Sequence, residues 1–176
     1  MVNQAIKDSL KSFVRSFNVS SGATRVGAIV YSTNATVVFT LDQFPSEMDI
    51  EEAIDNIAYP GGETFTGKAL NDTARILFSN DRVRRNISKI LVVITDGVST
   101  DDVTQPAALV NDTGVIPYVI GIGQNYNNSQ LLQIALGVVN HVFQAELSTI
   151  QDVFSSVRDT ICLGNKSDAS VKPVSN

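Results

Sequence analysis

Two residues in separate motifs carry oxygens of the kind that hold a metal ion. Thr64 lies in the Gly-rich stretch at the start of 59–78, ahead of a predicted helix, and Asp96 directly follows the apolar run 89–95. In an open parallel sheet, the loops that leave the carboxyl ends of the strands form the ligand-binding edge. Hydroxyl and carboxylate oxygens suit hard divalent cations. The sequence therefore predicts that Thr64 and Asp96 converge on one hard cation.

A nucleotide-binding interpretation competes for the same residues. The segment 62–69 matches a phosphate-binding loop except at its last position, 90–96 resembles a Walker B strand, and 165–168 has the form N-K-x-D. Three features count against it. Ala69 has no hydroxyl for Mg²⁺, a predicted helix ending in Tyr-Pro takes the place of the preceding strand, and 165–168 lies in a polar tail. A P-loop nucleotide hydrolase stays as the alternative function.

The sequence offers few residues for other kinds of catalytic site, so we expect that this protein is not an enzyme. His141 is the only histidine and begins a predicted strand, where a satisfied edge residue is commoner than a catalytic base. The segment 121–126 lacks the third Gly of a dinucleotide fingerprint. Asp101 and Asp102 lie near Asp96, and we interpret them as caps of the next helix.

The pattern of apolar residues alternates between helix and strand. Period-3.6 spacing predicts helices at 3–17, 46–57, 67–78, 129–136 and 147–161. β-Branched and continuous apolar runs predict strands at 24–32, 35–41, 89–95, 115–123 and 141–146. The first two strands read as a hairpin, and the runs 89–95 and 115–123 are typical of parallel strands covered on both faces.

Polar residues at the predicted helix starts indicate caps. Ser46 precedes a first turn with acidic residues, which favours a helix start there. Either Thr64 or Thr66 is positioned to cap the helix of 67–78, and either Ser148 or Thr149 the last helix.

The motifs GGETFTGKAL (61–70), ILVVITDG (90–97) and RVGAIVYSTNATVVFTLDQF (25–44) together resemble a von Willebrand factor type A domain of the kind found in collagens and matrilins. The likeness runs in the family's order from about residue 2 to about residue 162. It implies an α/β fold with a doubly wound, mostly parallel sheet flanked by helices. It also implies that Thr64 and Asp96 belong to a metal-ion-dependent adhesion site for Mg²⁺ or Mn²⁺, with Gly97 allowing the turn.

The resemblance also implies that the family's first strand and the metal-binding loop after it are not in this sequence. The family's other metal residues lie in a D-x-S-x-S loop after a first, central strand, and this sequence begins inside the helix that follows. We therefore expect an amino-terminally truncated domain over 1–162 and a polar linker or tail over 163–176. Two strands should lack a hydrogen-bond partner, and the metal should be held weakly or not at all, because two protein oxygens leave most of an octahedral shell to water.

The single cysteine, Cys162, ends the last predicted helix. Many members of the family pair a Cys at this place with another just before the first strand, so the resemblance makes Cys162 a disulfide candidate whose partner lies outside this sequence. A reduced thiol in an intracellular protein is the general alternative.

Composition limits the classes of partner. With 43% hydrophobic and 18% charged residues, the 176-residue chain can bury one core, and no apolar run is long enough to span a membrane. The net charge of −5 comes without a basic stripe, which argues against nucleic acid as partner. Met1 does not begin a signal peptide.

Glycosylation sequons nevertheless favour the secretory route. Seven N-x-[ST] triplets begin at Asn18, Asn34, Asn71, Asn86, Asn111, Asn127 and Asn165. Together with the resemblance they predict an extracellular glycoprotein module within a longer multidomain chain. Its expected function is adhesion to a matrix protein such as collagen, and a structural assembly module without its own metal-dependent ligand is a further alternative.

Overall fold

The computed structural model of the chain describes residues 4–78, 83–84 and 86–168, with side chains as far as Leu163. Six α-helices lie in this part, at α1 (Gln4–Arg15), α2 (Glu47–Asp55), α3 (Thr66–Asp72), α4 (Thr104–Asp112), α5 (Asn128–Ile134) and α6 (Ile150–Asp168). Five strands are described, at β1 (Ala28–Tyr31), β2 (Ala35–Phe39), β3 (Lys89–Thr95), β4 (Val115–Ile122) and β5 (Val142–Ala145). This order confirms the predicted α/β class.

The strands form two separate sheets. β1 and β2 pair antiparallel as the predicted hairpin, with Tyr31 opposite Ala35. β3, β4 and β5 form a parallel sheet in that order, in which β3 and β4 pair along their whole common length. Among the described residues, no strand pairing joins the hairpin to the parallel sheet.

Helices cover both faces of the parallel sheet. On one face, α3, α4 and α5 pack against a cluster that includes Leu91, Val93 and Val119. On the other face, α1 and α6 pack against the alternate side chains of the same strands, such as Ile120. Successive side chains of a strand point to opposite faces, so an uninterrupted apolar sequence is what a strand covered on both sides requires.

A wide cleft separates β1 from β3. It has a volume of about 1250 Å³, and apolar side chains of both strands line it, together with residues of α1 and α3. The unpaired edges of the hairpin and of the parallel sheet thus face one another across an apolar space. This agrees with the expectation that two strands lack a hydrogen-bond partner.

Two helices differ from the prediction in form or by more than two residues at an end. The helix expected over 67–78 is α3, continued by one wider π-helical turn at 73–77, where the Thr73 hydroxyl donates to the Ala69 carbonyl at 2.7 Å. Such back-bonding by Thr loosens the regular ladder. α6 continues to Asp168 instead of ending near 161. The boundary between domain and linker at 162 and 163 stays a prediction.

Candidate metal and ligand site

The structure brings Thr64 and Asp96 to one edge of the parallel sheet. Asp96 follows the last residue of β3 and is exposed. A Cβ placed on Gly97 would lie only 3.0 Å from the Thr64 hydroxyl oxygen, so the two loops are in contact at this point. The Thr64 carbonyl also accepts from the Thr100 backbone N–H at 2.9 Å. The predicted proximity of the two segments is therefore present, while their role in metal binding stays a prediction.

A network of hydrogen bonds fixes the loop that follows β3. The Gln130 side chain on α5 accepts from the Ser99 N–H at 2.9 Å and donates to the Ser99 carbonyl at 3.0 Å. The Ser99 hydroxyl in turn accepts from the Thr66 N–H at 3.0 Å. This reciprocal pairing with Gln130 holds the loop of Asp96 in one arrangement next to the start of α3.

Asp101 caps α3, contrary to the prediction that Thr64 or Thr66 does so. Its carboxylate accepts from the N–H groups of Gly67 and Lys68 at 2.9 and 2.7 Å. Phe65, which occupies the N-cap position itself, makes no side-chain cap hydrogen bond. A carboxylate satisfies two N–H groups and also complements the helix dipole, which a neutral Thr hydroxyl does less well.

Asp102 caps α4, as predicted, whereas Asp101 does not cap that helix. The Asp102 carboxylate accepts from the N–H groups of Thr104 and Gln105 at 3.1 and 3.3 Å. These backbone hydrogen bonds stabilise the charged form and lower the pKa of Asp102. Asp101 and Asp102 therefore connect the starts of α3 and α4 to the loop that follows β3.

The same geometry opposes the nucleotide-hydrolase interpretation. A phosphate-binding loop needs free backbone N–H groups at the helix start and a lysine directed at the phosphates. Here the N–H groups of Gly67 and Lys68 donate to Asp101, and the Lys68 ammonium donates to the Asn34 side chain at 2.7 Å. The segment 165–168 lies in the last turn of α6, where the described side chains have already ended.

Tyr31 connects the two sheets at this edge. Its hydroxyl donates to the carbonyl of Ile94 at 3.2 Å, across the end of the cleft. Burial raises the pKa of the Tyr31 phenol, and hydrogen bonds with Thr66 and Thr95 oppose that shift. The sequence analysis did not single out Tyr31, because nothing local to β1 indicates a contact 63 residues further along the chain.

The donor set fits a hard cation only in part. Thr64 and Asp96 supply one hydroxyl and one carboxylate, both suited to Mg²⁺ or Mn²⁺. Within the described residues, no group of three or more His, Cys, Asp or Glu side chains is arranged to hold a metal ion. Water or a partner's oxygens would have to complete the shell.

His141 lies in a short 3₁₀ turn before β5, where its ring packs on Tyr118 with centroids 4.2 Å apart. Its Nδ1 is buried without a partner among the described residues, so the expectation of a satisfied edge residue is wrong for that atom. Burial lowers the pKa of His141, which a hydrogen bond with the Pro117 backbone opposes.

The predicted modification sites are mostly accessible. Cys162 is exposed near the end of α6. Asn71 is half-buried, the side chain of Asn165 lies outside the described residues, and the remaining sequon residues are exposed, at Asn18, Asn34, Asn86, Asn111 and Asn127. The disulfide and the glycans stay predictions. No helix in the described residues combines the length and hydropathy that crossing a membrane requires.

Comparisons with known proteins agree with this architecture. The mouse collagen alpha-4(VI) chain is 32% identical over 160 residues, which is 90% of this chain and 7% of that protein. Mouse matrilin-2 is 29% identical over 165 residues, again 90% of this chain, and 17% of the relative. This chain therefore corresponds to a small part of each relative.

A solved structure shares the fold closely. Proximal thread matrix protein 1 from the mussel byssus, with a zinc-occupied MIDAS motif, superimposes with a TM-score of 0.85 at 27% identity, covering 90% of this chain and 42% of that one. At the level of sequence, the family model of the von Willebrand factor type A domain matches residues 2–156 of this chain. These findings confirm the resemblance read from the motifs. The chain belongs to the von Willebrand factor type A domain family.

Proposed function

We propose that this chain is an extracellular, non-enzymatic adhesion module that binds a matrix protein through a divalent cation at the carboxyl edge of its sheet. The observation that carries the proposal is the contact between the loops of Thr64 and Asp96. The named relatives are collagen and matrilin chains, and a mussel relative has been solved with zinc in its MIDAS motif. Both facts support this function class and a divalent metal.

Thr64 and Asp96 would have different roles in binding the cation at the carboxyl edge of the sheet. Thr64 offers a neutral oxygen that binds the cation directly when a partner is present, and exposed Asp96 supplies the negative charge, directly or through water. A bound Mg²⁺ or Mn²⁺ would supply Lewis acidity toward a carboxylate oxygen of the partner. Because the chain contributes few oxygens, affinity for the free cation should be weak and should rise when the partner adds its carboxylate.

The proposed setting is that of the relatives. The chain covers only a fraction of the collagen and matrilin chains, so we propose that it acts as one module of a longer extracellular protein. Collagen or another matrix glycoprotein is the proposed partner class. The exposed sequon residues are compatible with glycosylation in that compartment.

The test measures binding of immobilised native collagen and of a matrix extract in Mg²⁺, in Mn²⁺ and in chelator. Asp96→Asn removes the charge at nearly constant volume, and we expect it to abolish the metal-dependent part of the binding. Thr64→Val removes the hydroxyl and should weaken binding about tenfold or more, corresponding to at least about 1.4 kcal/mol. Thr64→Ser keeps a hydroxyl and should retain most of the binding.

Asp112→Asn is the matched control, because Asp112 is an exposed carboxylate at the end of α4 and its loss changes the net charge equally. Equal losses for Asp96→Asn and Asp112→Asn would point to a general charge effect. Binding of undiminished strength in chelator would contradict the cation-dependent mechanism and would favour the second candidate.

That second candidate is a structural assembly module that binds without a metal. Apolar side chains are exposed after α5, with Val139 at 70% and Val138 at 42% exposure. Exposed apolar groups close together favour a protein contact. Val139→Asp should then remove binding that persists in chelator, whereas it should leave cation-dependent binding unchanged.

A further inference from the structure

The turn between β1 and β2 holds the loop of Thr64 from both sides. The Glu63 N–H donates to the Thr33 hydroxyl at 3.0 Å, and the Phe65 N–H donates to the Ser32 carbonyl at 3.0 Å. Both neighbours of Thr64 in the chain are therefore fixed by this turn. The turn thus lies against the candidate cation site, at the carboxyl edge of the sheet.

Asn34 ends this turn and begins the sequon Asn-Ala-Thr, which Thr36 completes. Both Asn34 and Thr36 are exposed, one at the turn and the other at the second residue of β2. A sequon that is used lies in a surface loop of a secreted protein, and this one lies at an exposed hairpin turn. The asparagine and the hydroxyl that glycosylation requires are thus both accessible beside the loop of Thr64.

A contact with α3 fixes the Asn34 carboxamide without using its nitrogen. The Lys68 ammonium donates to the Asn34 side-chain oxygen at 2.7 Å, and an ammonium can only donate, so the contacting atom is the oxygen. The Lys68 backbone N–H also donates to the Asp101 carboxylate at 2.7 Å, which ties the same lysine to the loop of Asp96. The Asn34 nitrogen, to which a glycan is attached, takes no part in this contact.

Glycosylation of Asn34 changes only the nitrogen side of the carboxamide. A bond forms between Nδ2 and the anomeric carbon of an oligosaccharide, as the bond from that carbon to its lipid diphosphate carrier breaks. The amide nitrogen loses one proton, which the released lipid diphosphate takes up. The oxygen can still accept from Lys68, so the modified side chain keeps its position against α3.

A glycan at this position would separate two kinds of ligand by size. The carbohydrate is bulky, whereas Mg²⁺ and Mn²⁺ are single ions. A matrix protein has to bring its carboxylate to the loops of Thr64 and Asp96, and docking on one specific patch already restricts the directions of approach. The glycan would therefore slow the association of a protein partner and leave the entry of the cation unaffected.

Two other exposed sequons supply contrasts. Asn127 also lies at the carboxyl edge, because it follows β4 and caps α5, where its oxygen accepts from the Ser129 N–H at 2.8 Å. Asn111 lies near the end of α4, ahead of β4, and thus at the opposite edge of the sheet. A glycan on Asn111 is therefore the internal control for a glycan near Thr64.

We propose that Asn34 carries an N-linked glycan that restricts the access of a matrix protein to the edge formed by Thr64 and Asp96, while the cation enters freely. This regulation rests on the proposed function, because Thr64 and Asp96 are taken as the binding residues. Its support is the exposed sequon at the turn that holds both neighbours of Thr64.

The first measurement is the occupancy of Asn34. The whole chain is expressed behind a secretion leader in mammalian cells, with Ser129→Ala in every protein to remove the sequon of Asn127. Mass spectrometry of glycopeptides, from both the secreted and the retained chain, gives the occupancy of Asn34 and of Asn111. We expect a glycan on most copies of Asn34. A largely unmodified Asn34 in both fractions would overturn the proposal.

Thr36 separates the glycan from the contact between Asn34 and Lys68. Thr36→Val removes the hydroxyl that the sequon needs, but it keeps the β-branched shape and leaves Asn34 in place. Thr36→Ser keeps the sequon and is the matched control. In Mn²⁺, Thr36→Val should associate with immobilised native collagen about tenfold faster than the parent chain, which is within the range seen among variants of one interface. Thr36→Ser and Asn111→Gln should associate like the parent.

Titration with Mn²⁺ alone, followed by electron paramagnetic resonance, should give the same affinity for all four proteins, because the ion passes the glycan. A higher Mn²⁺ affinity of Thr36→Val would show that the glycan acts on the cation site itself, and would contradict the proposal. Equal acceleration of collagen binding by Thr36→Val and Asn111→Gln would also contradict it, since a general loss of carbohydrate would then be the cause.

A labelling measurement tests the glycan cover without any matrix ligand. Glu63→Cys places a thiol on an exposed residue next to Thr64, in a chain whose own cysteine is removed by Cys162→Ser. A small maleimide is compared with a maleimide attached to a polymer of protein size. Relative to the small reagent, the polymer should react several-fold more slowly with the glycosylated chain than with the Thr36→Val chain.

The labelling and collagen measurements distinguish this proposal from the proposed function. Equal labelling ratios in the glycosylated and the Thr36→Val chains would overturn the glycan cover, whatever the chain binds. If the labelling ratios differ as expected but the Thr36→Val chain binds collagen equally well in Mn²⁺ and in chelator, the glycan covers the edge and the cation-dependent function is wrong.

Discussion

β3 and β4 are neighbouring strands with almost the same kind of sequence but different surroundings. β3 reads KILVVIT and β4 reads VIPYVIGI. Yet only two of seven residues are buried in β3, against seven of eight in β4. β4 has a strand on each side, whereas β3 has β4 on one side and the cleft on the other. The number of neighbouring strands, and not the apolar pattern, determines how completely a strand is buried.

At its carboxyl end, β3 is supported by side chains in place of a neighbouring strand. Tyr31 reaches its Ile94 carbonyl from the hairpin, and the loop that follows is held by Gln130 and by the contact with α3. Side chains thus hold together one end of two sheets that share no ladder. The candidate cation site lies at this supported end.

The largest expected effect is a difference in the loss of stability between matched substitutions in β3 and β4. Ile120→Ala in β4 removes a side chain with no solvent exposure, and we expect the free energy of unfolding to fall by about 2–5 kcal/mol. Ile94→Ala in β3 removes the same atoms beside space that is already open, so the loss should be only about 1 kcal/mol. Urea denaturation of both variants measures the difference, and equal losses would contradict the comparison.

A second test concerns the support at the end of β3. A Cβ on Gly67 would lie 1.9 Å from the Asp102 carbonyl oxygen, so Gly67→Ala must push α3 away from the loop that carries Asp101. Such overpacking should lower the free energy of unfolding by about 1–3 kcal/mol. Gly22→Ala is the control, because nothing lies within 4 Å of the added Cβ. If Gly67→Ala leaves the free energy of unfolding in urea unchanged, α3 and the loop that carries Asp101 can move apart at little energetic cost.

Local patterns in the sequence predicted most of the elements, but not the contacts between distant ones. The hairpin of β1 and β2 and the cap at Ser46, whose hydroxyl accepts from the Asp49 N–H, follow from adjacent residues and were predicted correctly. The predicted proximity of the Thr64 and Asp96 segments is present in the structure, while their role in metal binding stays a prediction.

The contacts of the supporting residues were missed for a common physical reason. Tyr31, Asp101 and Gln130 act on groups 31 to 63 residues away along the chain. Asp101 also satisfies the start of α3, which removed the need for the Thr caps that local sequence favoured. Sequence pattern likewise assigned β3 and β4 the same burial, because it contains no information about which edge has a neighbour.

Tyr31→Phe tests the side-chain bridge on the free edge of β3. Removing the hydroxyl leaves the Ile94 carbonyl without this donor, and the free energy of unfolding should fall by about 0.5–1.5 kcal/mol. Tyr59→Phe is the matched control, since Tyr59 is 58% exposed and its loss of a hydroxyl should change little. If both substitutions have the same effect in thermal or urea unfolding, the bridge contributes nothing to the support of β3.

The smallest expected effect is the pH dependence of the α4 cap, at the far side of the same loop. The pKa of Asp102 is lowered in the folded chain by hydrogen bonds from the Thr104 and Gln105 backbone. The charged cap therefore stabilises the fold fully above the unfolded pKa of about 3.9, and this contribution is lost as pH falls through the lower folded pKa. Asp102→Asn keeps an acceptor for the cap without a titrating group. The stability difference between parent and variant, measured by unfolding in a pH series, should narrow as the pH decreases below about 4. A difference that stays constant across that range would mean that the charge of Asp102 does not contribute to holding the loop beyond β3.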